Sequence, residues 1–153
     1  MAVFFFDTSA LLKRYVQESG SSWVREALAV PGRRIYVARI ARLECISALS
    51  RRLLGSPPQP AVFAIARGQV EQDWKRRWQV VELSLNLIGD AEQLAERHRL
   101  RAYDSLHLAC AKHVFETAAR VGAEPYSFVA SDFELNEAAR REGLHVIDPT
   151  ELG

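Results

Sequence analysis

The chain opens with an apolar run, Val3 to Phe6, that a carboxylate, Asp7, brings to a stop. A run without polar alternation suits a strand covered on both faces. Beyond it the period changes. Leu11, Leu12, Tyr15 and Val16 follow Ser9 at helical spacing, which predicts a helix capped by Ser9 and closing near Gly20. Ser21 or Ser22 is expected to cap a second helix carrying Trp23, Val24, Ala27 and Leu28, ended by Pro31-Gly32. Short apolar runs at 35–38, 79–83, 126–130 and 145–147 read as further strands, and helical patterns fill about 40–54, 61–77, 87–99, 103–121 and 132–142. Short buried strands alternating with helices predict a three-layer α/β/α sandwich with a mainly parallel central sheet, built as a single domain over residues 1–153.

Composition narrows the picture only slightly. Apolar residues at 48% and charged residues at 25% fit an ordinary globular chain and exclude a disordered one. The formal net charge is +1, so a nucleic-acid partner has to be argued from where the charges lie. Cys45 and Cys110 fall inside apolar helical patterns, as buried thiols of a reducing compartment do. The first apolar run is too short for a signal peptide or membrane span, and no later segment is long enough. A soluble, cytoplasmic protein without a membrane partner is expected.

The acids carry more information. In open α/β sheets, ligands gather beyond the carboxyl ends of the strands. Asp7 directly follows VFFF and Asp132 follows YSFVAS, so both should emerge at that edge. Glu44 lies in the first turns of the helix leaving strand 35–38. It shares a helical stripe with Ile40 and Ala48, as Asp104 does with Leu108, Ala111 and Phe115. A carboxylate on an apolar stripe is costly without a partner, and a cation would compensate several at once. Each acid alone also admits a plainer role. Asp7 and Asp132 could cap helices, and Glu44 and Asp104 could pair with Arg42 or Arg101. The coincidence of four favours a shared site, although the hydrophobic period does not place Asp104 at the sheet edge.

In chain order, FFDTSALLKRYVQE, the acid within IARLECISAL, the segment RAYDSLHLACA and the stretch FVASDFELNEAARREGLHVIDP together resemble a PIN domain of the kind found in VapC-type toxins of prokaryotic toxin–antitoxin pairs. The resemblance spans essentially the whole chain. It implies a nuclease whose metal site is formed by the acids matching Asp7, Glu44, Asp104 and Asp132, and it supplies the placement of Asp104. It further implies an RNA substrate, a cognate antitoxin and a homodimer. Oxygen-only donors suit Mg²⁺, with Mn²⁺ as the alternative, holding a water that attacks a phosphodiester. Asp7 and Asp104 are the first choices as direct ligands, with Glu44 and Asp132 binding a second ion or holding water. Thr8 and Ser9 match the small hydroxyls beside the first acid; Ser9 is expected chiefly as a helix cap, and Ser131 as a residue that orients the site. Asp148, followed by Pro149, reads as a turn.

Other constellations are weaker. His107, Cys110 and His113 are spaced three apart, and two such steps drift by about 120° around a helix, so the three do not converge on a zinc ion. His107 is expected to pack or to hydrogen-bond. Serine-hydrolase, Walker and dinucleotide motifs are missing from the sequence. Arginines cluster at 33, 34, 39 and 42, at 51 and 52, and at 97, 99 and 101, with Lys75, Arg76 and Arg77 forming another group. Solvated helix faces account for such groups, while RNA phosphates, with Trp74 and Trp78 for stacking, are the alternative use. A receiver-like signalling domain also gathers aspartates at strand ends, but it pairs two acids after the first strand and places a lysine after the last. Here the first strand offers Asp7 alone. A degenerate PIN scaffold that binds without cutting is the remaining alternative.

Overall fold

Residues 2–123 and 125–152 are described by the computed structural model. The apolar run forms β1 (Val3–Phe6), flanked by β2 (Arg34–Ala38) on one side and β4 (Tyr126–Val129) on the other. β3 (Gln79–Val81) pairs with β2 and β5 (Val146–Ile147) with β4, so the strand order is β3-β2-β1-β4-β5, parallel throughout. Phe5 of β1 lies opposite Tyr36 and Phe128 of its two neighbours.

Parallel neighbours need crossover connections, which the alternating helices supply. α1 (Thr8–Leu11), α2 (Ser21–Ala29), α3 (Ile40–Leu53) and α4 (Pro60–Arg76) pack on one face of the sheet. α5 (Leu85–His98), α6 (Ala102–Arg120) and α7 (Phe133–Arg141) pack on the other. Phe4 and Phe6 belong to the first apolar layer, Val3 and Phe5 to the second. Both faces of β1 are therefore buried, which is why its sequence shows no alternation. The three-layer α/β/α arrangement expected from the sequence is the one observed.

After β1 the chain moves outward through β2 and β3, then crosses back to β4 and β5 on the far side. That reversal leaves a crevice at the carboxyl ends of β1 and β4, where α/β proteins of this kind hold ligands.

Several local expectations need correction. Asp7, not Ser9, is the N-cap of α1, and its carboxylate accepts a hydrogen bond from the Ser9 N–H at 3.0 Å. The first helix is also shorter than expected: it tightens into a 3₁₀ turn at Leu12–Arg14. From there Arg14 and Tyr15 reach a buried carboxylate of α4, Asp73. Its oxygens accept from Arg14 Nε at 2.5 Å, Arg14 Nη2 at 3.1 Å and Tyr15 Oη at 2.9 Å. The tertiary partner overrides the local helical period.

The cap of α2 is Gly20 at φ +88°, not a serine. A Cβ there would stand 2.8 Å from the Pro149 carbonyl, so only glycine fits. The Ser21 hydroxyl instead accepts from Glu18 N–H and donates to the Val16 carbonyl, both at 3.0 Å. The strand expected at 79–83 ends at Val81. Asp148 caps a 3₁₀ turn, Pro149–Glu151, as the turn reading required. Cys45 and Cys110 are free and buried, and Trp74 and Trp78 are buried in the α1–α4 layer. Among the described residues, no helix is long and apolar enough to cross a membrane.

Candidate active site

Asp7, Glu44, Asp104 and Asp132 all line one open cleft of about 570 Å³ at the carboxyl end of the sheet, together with Thr8 and Ser9. Four different elements deliver the acids. Asp7 ends β1, Glu44 stands in the second turn of α3, Asp104 in the first turn of α6, and Asp132 caps α7. The capping role and the site role therefore coexist: Asp7 caps α1, and Asp132 Oδ1 accepts from Leu135 N–H at 2.9 Å while lining the cleft. Glu44 does not lie on the fully buried stripe of α3, which runs Ala41, Cys45, Leu49; it borders that stripe, half-buried.

Small hydroxyls fix the carboxylates. Ser9 Oγ donates to Asp7 Oδ2 at 2.6 Å and accepts from the Ser131 N–H at 2.9 Å, so one side chain joins the ends of the two central strands. Thr8 Oγ1 donates to Glu44 Oε1 at 2.9 Å. Ser131 takes part through its backbone. Its hydroxyl is buried and, among the described residues, unpartnered.

Beneath the acids lies His107, 1% exposed. Its Nε2 stands 2.6 Å from Glu44 Oε1, 3.2 Å from Thr8 Oγ1 and 3.6 Å from Asp7 Oδ1. Burial alone would lower the His107 pKa, but Asp7, Glu44 and Asp104 outweigh it and hold the ring above the ordinary histidine value. Burial likewise pushes Glu44 up, yet the hydrogen bonds and charge of His107, with Thr8, carry it below the usual carboxylate range. Asp104 fares differently. Burial and the negative charges of Asp7 and Asp132 push it up to about 6, against the weaker pull of Arg101 and His107.

The charge in the cleft is thus only partly balanced by the protein's own cations. Arg101 reaches both Asp104, at 3.4 Å, and Asp132, at 3.3 Å, but it is an exposed side chain. A divalent cation would relieve the crowding more completely. Among the described residues, no three His, Cys, Asp or Glu side chains come close enough to hold a metal ion between them. Mg²⁺ and Mn²⁺ do not require three: hard cations of this kind use one or two carboxylates and keep several waters. The oxygen-only donor set fits such an ion.

The cleft also exposes residues that the sequence did not single out. Tyr103 and Leu43 present apolar surface at its walls, and Ser47 joins them. Of the arginine clusters, Arg51 and Arg101 reach the cleft. Others serve elsewhere: Arg39 pairs with Glu82, Arg42 with Glu71, Arg52 with Glu18, Arg77 with Asp73 and Arg97 with Glu142, and Arg33 lies over the Phe4 ring at 4.9 Å. His107 was expected only to pack or hydrogen-bond. Its i+3 spacing from Asp104 was the available signal that both share one face of α6.

The chain is 32% identical to Ribonuclease VapC45 of Mycobacterium tuberculosis (strain CDC 1551 / Oshkosh), and equally to Ribonuclease VapC49 of Mycobacterium tuberculosis (strain ATCC 25618 / H37Rv). Each match covers 72% of this chain and 76% of the relative. Among solved structures, FitAB bound to an IR36 DNA fragment superposes with a TM-score of 0.67 at 14% identity, covering 96% of this chain and 95% of that one. VapBC2 from Rickettsia felis, bound to a DNA fragment from its promoter, gives 0.60 at 13% identity, covering 95% and 98%. At these identities the superpositions speak for the fold alone. The sequence itself matches the PIN domain over residues 4–119, a span that reaches from β1 to the end of α6 and takes in Asp7, Glu44 and Asp104, and so the chain belongs to the PIN-domain family, with VapC ribonucleases among its relatives.

Proposed function

We propose that the protein is a Mg²⁺-dependent endoribonuclease, with Mn²⁺ as a substitute ion, and the toxin of a VapBC-type toxin–antitoxin pair. The observation that carries this reading is the meeting of four carboxylates from four separate elements in one cleft. The names of the relatives, both ribonucleases, and the complexes among the structural neighbours support it. The receiver-like alternative falls with the family assignment.

In this reading Asp7 and Asp104 are the direct ligands, and Glu44 and Asp132 hold a second ion or its water. A divalent ion held there would polarise a phosphoryl oxygen and make a water acidic enough to yield the nucleophile that attacks phosphorus. The chain's own side chains do the positioning. Ser9 and the Ser131 backbone fix the Asp7 carboxylate, and Thr8 fixes Glu44. Arg51 and Arg101 meet substrate phosphates at the cleft walls, and single-stranded RNA suits an open groove of this kind. Inhibition by a cognate antitoxin and pairing into a homodimer belong to the same proposal.

The test is cleavage of labelled RNA by purified protein with Mg²⁺ or EDTA, alongside Asp7→Asn. Loss of a residue that merely supports a metal ligand costs about 10–100-fold, so loss of a direct ligand is expected to cost more than about 100-fold. Equal cleavage by variant and parent would remove the metal–carboxylate mechanism. Binding without cleavage by the parent would leave the degenerate scaffold.

A further inference from the structure

Among the described residues, His107 is the one fully buried side chain that reaches across the site. It rises from α6 one turn after Asp104 and touches groups on two other elements, Glu44 of α3 and Thr8 of α1. A carboxylate only accepts hydrogen bonds, and the Thr8 hydroxyl already donates to the same Glu44 oxygen. The hydrogen between His107 and Glu44 therefore sits on Nε2. Both hydrogen bonds to Glu44 fall on Oε1, which leaves Oε2 as the oxygen available to the cleft.

Packing does not explain this residue. Its other nitrogen, Nδ1, is buried and unpartnered among the described residues. Leaving a buried polar atom unpaired is destabilising. A phenylalanine would fill the same space without that cost, edge-on to Phe5, whose ring the imidazole meets at 6.5 Å and 69°. What phenylalanine lacks is the donor that Glu44 receives.

We infer that His107 is a positioning residue for the divalent-cation site, its Nε2–H holding the Glu44 carboxylate so that Oε2 faces the cation pocket. The inference rests on the metal-site reading above and assigns a role to a side chain outside the acid quartet. Glutamate has three rotatable side-chain bonds, and a free Glu44 would spread its oxygens over several positions. Two donors on one oxygen select a single arrangement, and support of this kind is what tunes metal affinity.

The test uses the full chain and Mn²⁺ as the probe, with binding followed by electron paramagnetic resonance. His107→Asn places an amide near Nδ1, too short to reach Glu44, whereas His107→Gln carries its amide close to the position of Nε2. Mn²⁺ dissociation constants are expected to rise at least tenfold for the asparagine variant and to return within about threefold of the parent for glutamine, on the scale seen for residues that support metal ligands. RNA binding measured in EDTA should not change in either. A purely structural histidine would lower the melting temperature in both variants and leave the Mn²⁺ constant unchanged, and that result overturns the inference. So does an asparagine variant that binds Mn²⁺ as the parent does. If the parent itself neither binds Mn²⁺ nor cuts RNA, the metal-site reading fails first and the inference with it.

Discussion

Asp104 bears the charge conflict of the cleft. Its carboxyl holds a proton up to about pH 6 in the folded protein, because of burial and the proximity of Asp7 and Asp132, whereas the ordinary value is 3.8. Between those values the folded protein binds more protons than the unfolded chain. Stability from this group is therefore fully present below about 3.8 and is lost as the pH rises through about 6. In EDTA, Asp104→Asn should melt above the parent at neutral pH and close to it near pH 4. The expected gain is roughly 2–4 °C for each kcal/mol of repulsion relieved. Identical melting curves at neutral pH would show that the neighbouring acids exert no strain on Asp104. The residues of the site were unequally legible. Asp7 follows its apolar strand directly and Asp132 stands three residues beyond the end of β4, so the strand-end rule places them. Glu44 needs one further step, along the helix that leaves β2. Asp104 and His107 escape such reasoning, because the partners of His107 lie 63 and 99 positions away in the chain. Only the family pattern brought Asp104 to the cleft.

At the scale of elements, the layer formed by α5, α6 and α7 is pinned by one carboxylate. Glu142, at the C-cap of α7, accepts from Lys112 of α6 at 2.5 Å and from Arg97 and His98 of α5, each at 2.7 Å. Burial pushes this carboxyl up, but the three donors prevail and hold it at about 2. Its stabilising contribution is then present above the ordinary 4.5 and fades as the pH falls toward 2. Glu142→Gln should cost on the order of 2 kcal/mol at neutral pH. Arg97 is half exposed and adds little of this, so Lys112 and His98 supply most. In urea titrations the gap between parent and variant should close near pH 2; a gap of constant size would indicate lost packing instead of lost charge. The elements themselves were largely readable, since β1 shows as an unbroken apolar run and the four longer helices through their apolar period. The errors fell where a distant partner overrides local preference. Arg14 and Tyr15 turn toward Asp73 and cut the first helix short, and the approach of Pro149 demands Gly20 as a cap where a serine stood ready one position later.

For the whole molecule, a net charge of +1 leaves RNA binding to local charges. Arg51 and Arg101 at the cleft walls would contribute about two phosphate contacts. Each contact with a single strand changes the slope of log affinity against log salt by about 0.7. Removing both arginines should therefore flatten that slope by about 1.4 in EDTA, and an unaltered slope would place the RNA on another surface. The crossover that separates β2 and β3 from β4 and β5 has a further consequence through Ser9. Its hydroxyl is fastened to Asp7 at one central strand and to the Ser131 amide at the other. Any shear between those strands would turn the carboxylate out of line, so the candidate centre is as rigid as the sheet interior that carries it.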